Sequence, residues 1–262
     1  MVDQVKTAYI PMGIEHDPRI PPLGRVITAE ITHLPDGEYA LDAKVEVFEE
    51  GDVVPLTGVR RMKMNFCESE AVVLVDDRAF RDNDDQKLLE EVRSILGAER
   101  ETEGKKAVEP IAVLIIALKI GASGIVGGIG KRIGEDLWRS IRPKLKALFQ
   151  RKRNSTAQLL NFAVTVEIDG APRLVEVILS DPRDADVDSI GPRVLEQAIS
   201  AAAVQIKAAP YLVRFVYGFS ADEGLAFSYA VSMNGVPILG TGERSQRSVS
   251  GGVSIGGDVA DV

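Results

Sequence analysis

The sequence has few of the residues that form covalent cross-links or bind metals. Cys67 is the only cysteine, which excludes an internal disulfide and a zinc site of four thiolates. The first six residues do not combine a cationic stretch with an apolar run, as a secretory signal does. We therefore expect a cytoplasmic protein, one that can also lie at, or insert into, the inner face of a membrane.

Complete catalytic and cofactor-binding motifs are also lacking. The segment 124–131 is glycine-rich like a phosphate loop, but Ile125 and Arg132 occupy positions that require Gly and Ser or Thr. The letters of 252–256 match a nucleophile elbow, yet both histidines lie far upstream, opposite to the hydrolase order. An enzyme would have to use Cys67 or the aspartates within 76–85 or 181–188, which fit helix N-termini and solvated loops better. We expect a non-enzymatic protein without cofactor or metal.

Charge is distributed unevenly along the chain. The net charge is -8, which argues against general nucleic-acid binding. Residues 131–153 nevertheless carry +7, so the other 239 residues sum to -15. This asymmetry indicates either an anionic surface as the partner of the basic segment or an acidic face within the same protein.

Composition divides the chain into five parts. An apolar, glycine-rich run and the basic segment follow a charged stretch, and the end of the sequence is rich in Gly and Ser. The predicted organisation is a β-rich domain (1–98), a charged linker (99–110), an apolar and basic helical segment (111–153), a ββαββ domain (154–239) and a flexible tail (240–262).

The N-terminal domain is predicted to be mostly strands with one helix. Apolar and polar residues alternate over 39–47, and a Pro-Asp-Gly turn separates this run from 26–31, which predicts a hairpin. Further strands are expected at 62–66 and 71–75. Asp84 then caps a short helix that Gly97 ends.

The C-terminal part shows the clearer pattern. Strands at 160–168 and 174–179 flank an Asp-Gly turn, a helix begins near Pro192 and ends before Pro210, and a second hairpin pairs 212–219 with 225–233. Asn234-Gly235 then turns the chain into a short final strand. The fold class expected for the whole chain is α+β.

The middle segment is interpreted as two kinds of helix. Residues 111–130 have the length of a membrane-spanning helix, although Lys119 makes its insertion marginal. Small residues four apart permit close helix packing. Residues 130–153 follow the three-and-four spacing of an amphipathic helix, which Pro143 kinks or divides. We expect Lys119, Gly121, Gly124 and Gly128 to act in insertion and packing, and Trp138, Arg139, Arg142, Lys144 and Lys146 to contact lipid headgroups.

Two functions remain open from sequence. The first is a conditionally membrane-associating or membrane-perturbing protein, with an anionic membrane surface as partner and possible homo-oligomers formed through the small residues. The second is a soluble protein-interaction or regulatory module, in which the glycine-rich helix is buried and the ββαββ unit presents an edge strand or aromatic face to a protein partner.

Overall fold

The computed structural model describes residues 8–13, 17–35, 38–48, 61–62, 69–75, 79–102, 111–120, 134–153 and 157–239. Within these ranges the chain folds into two β-sheets and four helices. The predicted α+β character is therefore confirmed. The tail beyond residue 239 and the glycine-rich residues 121–130 lie outside the described part of the chain.

The smaller sheet has four strands in the order β3-β2-β1-β4. The strands are β1 (Ala8–Met12), β2 (Gly24–His33), β3 (Tyr39–Val47) and β4 (Arg61–Met62). β2 and β3 pair antiparallel over their full length, with a bulge between Val26 and Thr28, which confirms the predicted N-terminal hairpin. β3 is the edge strand of this sheet among the described residues.

The larger sheet has eight strands in the order β12-β11-β10-β9-β8-β7-β5-β6. They are β5 (Ala71–Val75), β6 (Glu99–Thr102), β7 (Ile111–Ile120), β8 (Ala157–Ile168), β9 (Ala171–Ser180), β10 (Leu212–Ser220), β11 (Gly224–Ser232) and β12 (Pro237–Leu239). β8 with β9 and β10 with β11 form the two predicted hairpins. The sheet combines strands from both sides of the predicted linker 99–110.

Four helices pack on one face of the larger sheet. They are α1 (Asn83–Leu96), α2 (Glu135–Lys152), α3 (Asp184–Ser189) and α4 (Pro192–Ala208). Their apolar sides share one core with alternate residues of β5, β7, β8, β9 and β10. Burial of this continuous apolar surface is the main stabilising contribution to the fold.

Three helices correspond to predicted ones, and α3 was not predicted. α1 ends at Gly97, whose φ is 61°, as expected. Its N-cap, however, is Asp82, which accepts a hydrogen bond from the backbone N–H of Asp84. α2 continues through Pro143 as one helix of 18 residues, so of the two predicted effects of Pro143, a kink or a division into two shorter helices, the division is wrong.

The helix predicted over 111–130 is also wrong where it is described, because residues 111–120 form the strand β7. β7 pairs parallel with β8 and antiparallel with β5. Its even-numbered residues enter the core under the helices, and Val113 and Ala117 are buried on the opposite face. A strand buried on both faces is a continuous apolar run, which has no period of two.

The two sheets are joined near the β11–β12 turn. The backbone N–H of Met62 donates to the carbonyl of Met233 (2.6 Å), and the Arg25 guanidinium donates to the carbonyl of Asn234 (2.6 Å). The Tyr229 hydroxyl donates to the carbonyl of Pro18 (2.7 Å). These contacts fix the base of the smaller sheet against the larger one.

Candidate functional site

The cations of α2 mostly contact acidic residues of the neighbouring helices. Lys144 pairs with Glu91 of α1, and Lys146 pairs with Asp188 of α3. Arg142 also approaches Asp188, at 3.8 Å. Arg139 differs, because it is 76% exposed and contacts only Asp136 of its own helix in the described structure, at 3.3 Å.

The end of α2 is bound to the start of α1. Arg151 donates to Asp82, Asp84 and Asp85 at 2.9 to 3.1 Å, and Lys152 lies 2.6 Å from Asp85, whose carboxylate is completely buried. A buried carboxylate requires such partners. Acidic residues also stabilise the first turn of a helix and basic residues its last turn, so the two helix ends complement each other.

Pairing with cations and N–H donors lowers the pKa of several acidic groups, although burial alone would raise it. The hydrogen bond from Lys144 lowers the pKa of Glu91, and the one from Arg153 lowers the pKa of Asp184. Near α3, hydrogen bonds chiefly from Arg183, and also from the backbone N–H of Ala221, lower the pKa of the buried Asp186 to about 2. The basic segment therefore contacts acidic residues of the same protein. This agrees with the second interpretation of its charge, an acidic face within the chain.

Trp138, predicted to contact lipid headgroups, is instead 1% exposed and belongs to the core. Its ring lies edge-on to Phe162 of β8, with centroids 5.5 Å apart. Gly191 lies against it, since a Cβ there would meet the indole nitrogen at 3.3 Å. The predicted amphipathic helix is confirmed by α2, and its apolar side, which includes Trp138, faces the sheet.

Of the four residues predicted for membrane insertion and packing, one lies within the described ranges. Lys119 is exposed on β7, where it lies opposite Thr165 of β8. Gly121, Gly124 and Gly128 fall in the segment that is not described. Across the described ranges, no helix combines the length and the apolar character needed to cross a bilayer.

The most unusual surface is on the hairpin of β2 and β3, which we call the hairpin arm. Five large apolar residues on it are 38 to 72% exposed: Ile31, Tyr39, Leu41, Val45 and Val47. Odd-numbered residues of β3 share one face of the strand, and Leu41 lies opposite Ile31 of β2. The arm therefore presents an apolar face to solvent, where a monomer normally exposes only scattered apolar residues.

The opposite face of the arm is polar and, toward the tip, also exposed. Asp42 and Lys44 of β3 project from it, beside Glu30 and Thr28 of β2 respectively. All four side chains are exposed. Because both faces are open in its outer half, the arm projects from the body of the protein.

The base of the arm, in contrast, is firmly held. Arg25 is buried, donates to the Glu46 carboxylate at 2.6 Å and stacks on the Tyr9 ring at 4.1 Å. Gly24 permits close strand approach, since a Cβ there would lie 2.2 Å from the carbonyl oxygen of Glu46. A fixed base and an exposed outer half are typical of a preformed contact element.

A second polar cluster lies on the sheet face opposite the helices. Asn161 of β8 donates to Glu176 of β9 at 2.9 Å, and Glu176 also accepts from Arg214 of β10. Arg214 lies over the Tyr229 ring, 5.6 Å from its centroid. The hydrogen bonds of this cluster join neighbouring strands, so the cluster is a structural link within the sheet. Among the described residues, no group of three His, Cys, Asp or Glu is placed to hold a metal ion.

Comparison with known proteins adds no further assignment. No family model, no curated protein and no solved structure matches this chain. The alternation over 39–47 predicts that one face of the hairpin is apolar, but sequence reasoning did not identify that face as exposed.

Proposed function

We propose that this chain is a non-enzymatic protein-interaction module and that the hairpin arm is its contact element. The observation that carries the proposal is the exposure of five large apolar side chains on one face of an arm whose outer strand, β3, is an edge. This is the second of the two functions left open by the sequence, with the exposed strand located in the N-terminal part instead of the ββαββ unit.

The proposed mode of binding is strand addition. An extended segment of a partner pairs with the backbone of β3, and its alternate side chains meet the side chains of β3. Backbone hydrogen bonds supply affinity, and the side chains supply specificity. The fitting partner has apolar residues beside Tyr39, Leu41, Val45 and Val47, and charges that complement Asp42 and Lys44.

Membrane association stays a prediction. Three of the four cations assigned to lipid headgroups pair with α1 or α3, and Trp138 lies in the core. Of the predicted headgroup contacts, Arg139 alone is both widely exposed and free of contact with another described element. The apolar face of the arm is therefore the stronger candidate for contact, and lipid is an alternative occupant that the experiment has to separate from protein.

The test is site-specific photo-crosslinking in cells that produce the full chain. A benzophenone amino acid replaces Tyr39, and a matched control places it at Val204, an exposed apolar position on α4. The expected result is one discrete protein adduct from position 39 that position 204 does not give and that Leu41→Lys abolishes. Adducts to lipid alone, or equal patterns at the two positions, would contradict the proposal.

A further inference from the structure

We propose that the partner of the hairpin arm is a second copy of this chain, paired antiparallel, β3 to β3, about a two-fold axis at Ala43. The inference rests on the proposed function and names its partner. Its geometric basis is the position of β3 at the edge of the four-stranded sheet, as far as the described strands extend. Two edge strands with unpaired outer backbone groups can extend one sheet into the other.

The register about Ala43 matches apolar residues with apolar residues. Positions equally distant from Ala43 face each other, so Tyr39 lies opposite Val47 of the second copy, and Leu41 lies opposite Val45 of the second copy. Aromatic and β-branched side chains form favourable cross-strand pairs. Because the side-chain period is two, this register also places the apolar faces of both arms on the same side of the combined sheet.

The same register pairs opposite charges on the polar face. Asp42 lies opposite Lys44 of the second copy, and the symmetry repeats this pair. Within one arm neither charge is neutralised across the strands, since Asp42 lies beside Glu30, a like charge, and Lys44 lies beside Thr28. A second β3 places a cation opposite Asp42 and an anion opposite Lys44.

The remaining pair is consistent with this arrangement. Ala40 lies opposite Glu46 of the second copy, and Glu46 already accepts a hydrogen bond from Arg25 of its own chain. The carboxylate therefore needs no cation from the partner. Every pair in this register is thus apolar with apolar, opposite in charge, or free of like charges.

Charge reversal tests this register directly. Asp42→Lys places lysine opposite Lys44 twice per dimer, and Lys44→Asp places two carboxylates together, whereas the double variant restores both opposite-charge pairs. Asp42→Lys also gives Glu30 an opposite charge within the arm, so it does not weaken the monomer. Sedimentation equilibrium of the full chain is expected to show a dimer whose Kd rises about tenfold in each single variant and recovers in the double one.

Disulfide trapping tests the axis. In a Cys67→Ser background, Ala43→Cys places two thiols across the two-fold axis, where facing Cα atoms of antiparallel strands lie about 4.5–5.5 Å apart, within disulfide range. Ala40→Cys is the matched control, because its two copies lie roughly 20 Å apart along the strands. Mild oxidation is expected to give a covalent dimer of the first variant only.

Three results would overturn the inference. One is a chain that is monomeric at about 0.1 mM, a concentration at which a dimer with a Kd of about 1 µM would be almost fully formed. The others are a dimer indifferent to the single charge reversals and equal trapping of both cysteine variants. An adduct from position 39 to a different protein would also overturn it and leave the proposed function standing, whereas no protein adduct at all would contradict both.

Discussion

Trp138 of α2 and Phe162 of β8 pack edge to face with ring centroids 5.5 Å apart, within the core that the helices share with the larger sheet. Trp138 is the only tryptophan in the chain. Its fluorescence therefore reports on this contact and on nothing else in the protein.

The first prediction concerns that fluorescence in the presence of lipid. Because Trp138 is 1% exposed, its emission should be blue-shifted in buffer and should not change when anionic or neutral vesicles are added. Emission is measured during vesicle titration, with a guanidinium-unfolded sample as the reference for exposed indole. A vesicle-dependent shift would mean that α2 leaves the sheet to bind lipid.

The second prediction concerns the junction between α1 and α2. Asp85 is completely buried and contacts both Arg151 and Lys152, whereas Asp84 is 70% exposed and contacts Arg151 alone in the described structure. Asp85→Ala should lower the free energy of unfolding by about 2 kcal/mol, because it removes the charged contacts that the buried carboxylate makes with Arg151 and Lys152. Asp84→Ala should change it by less than about 1 kcal/mol. The free energy of unfolding of both variants is measured by urea unfolding. Equal losses of stability in the two variants would contradict the contacts of Asp85 with the end of α2.

The third prediction concerns pH. The folded pKa of Asp186 is about 2, below the 3.8 of an unperturbed aspartate, so its contribution to stability is fully present above pH 4 and is lost as the pH falls toward 2. Asp186→Asn should lower the free energy of unfolding by about 1–2 kcal/mol at pH 7. The difference from the unsubstituted chain should shrink between pH 4 and pH 2. A difference independent of pH would show that Asp186 acts without its charge.

The fourth prediction separates the cations of α2. Lys146→Glu places a carboxylate beside Asp188 and should lower the Tm by about 2–4 °C at low salt. The loss should diminish at high salt because partly exposed charges are screened. Arg139→Glu is the control, since Arg139 contacts only its own helix in the described structure. Equal effects of the two substitutions in thermal unfolding would count against the pairing of α2 with α3.

Much of the fold could be predicted because its signals are local. The turns at Asp169-Gly170 and Asn234-Gly235, the alternation in β3 and the glycine after α1 each depend on a few neighbouring residues. β7 could not be recognised in the same way. A strand with neighbours on both sides and cover on both faces loses its alternation, and its apolar run then resembles a helix of the same hydropathy.

The candidate site was harder to predict than the fold. The alternation of apolar and polar residues predicts that one face of the hairpin is apolar. Whether that face is covered depends on elements that are distant in sequence. The same applies to α2, because its partners Glu91 and Asp188 lie 53 and 42 residues away from Lys144 and Lys146. The acidic balance of the rest of the chain left open whether the partners of the basic segment lie within the protein or on an external anionic surface.

The attachment of the smaller sheet also bears on the order in which the chain folds during synthesis. Arg25 binds the carbonyl of Asn234 and Tyr229 binds the carbonyl of Pro18, contacts that span 209 and 211 residues. The smaller sheet therefore cannot reach its final position until residues more than 200 positions later have been synthesised. Closing so long a loop is slow compared with local strand pairing. The hairpin arm is therefore synthesised before the strands of the larger sheet but reaches its final position only after them.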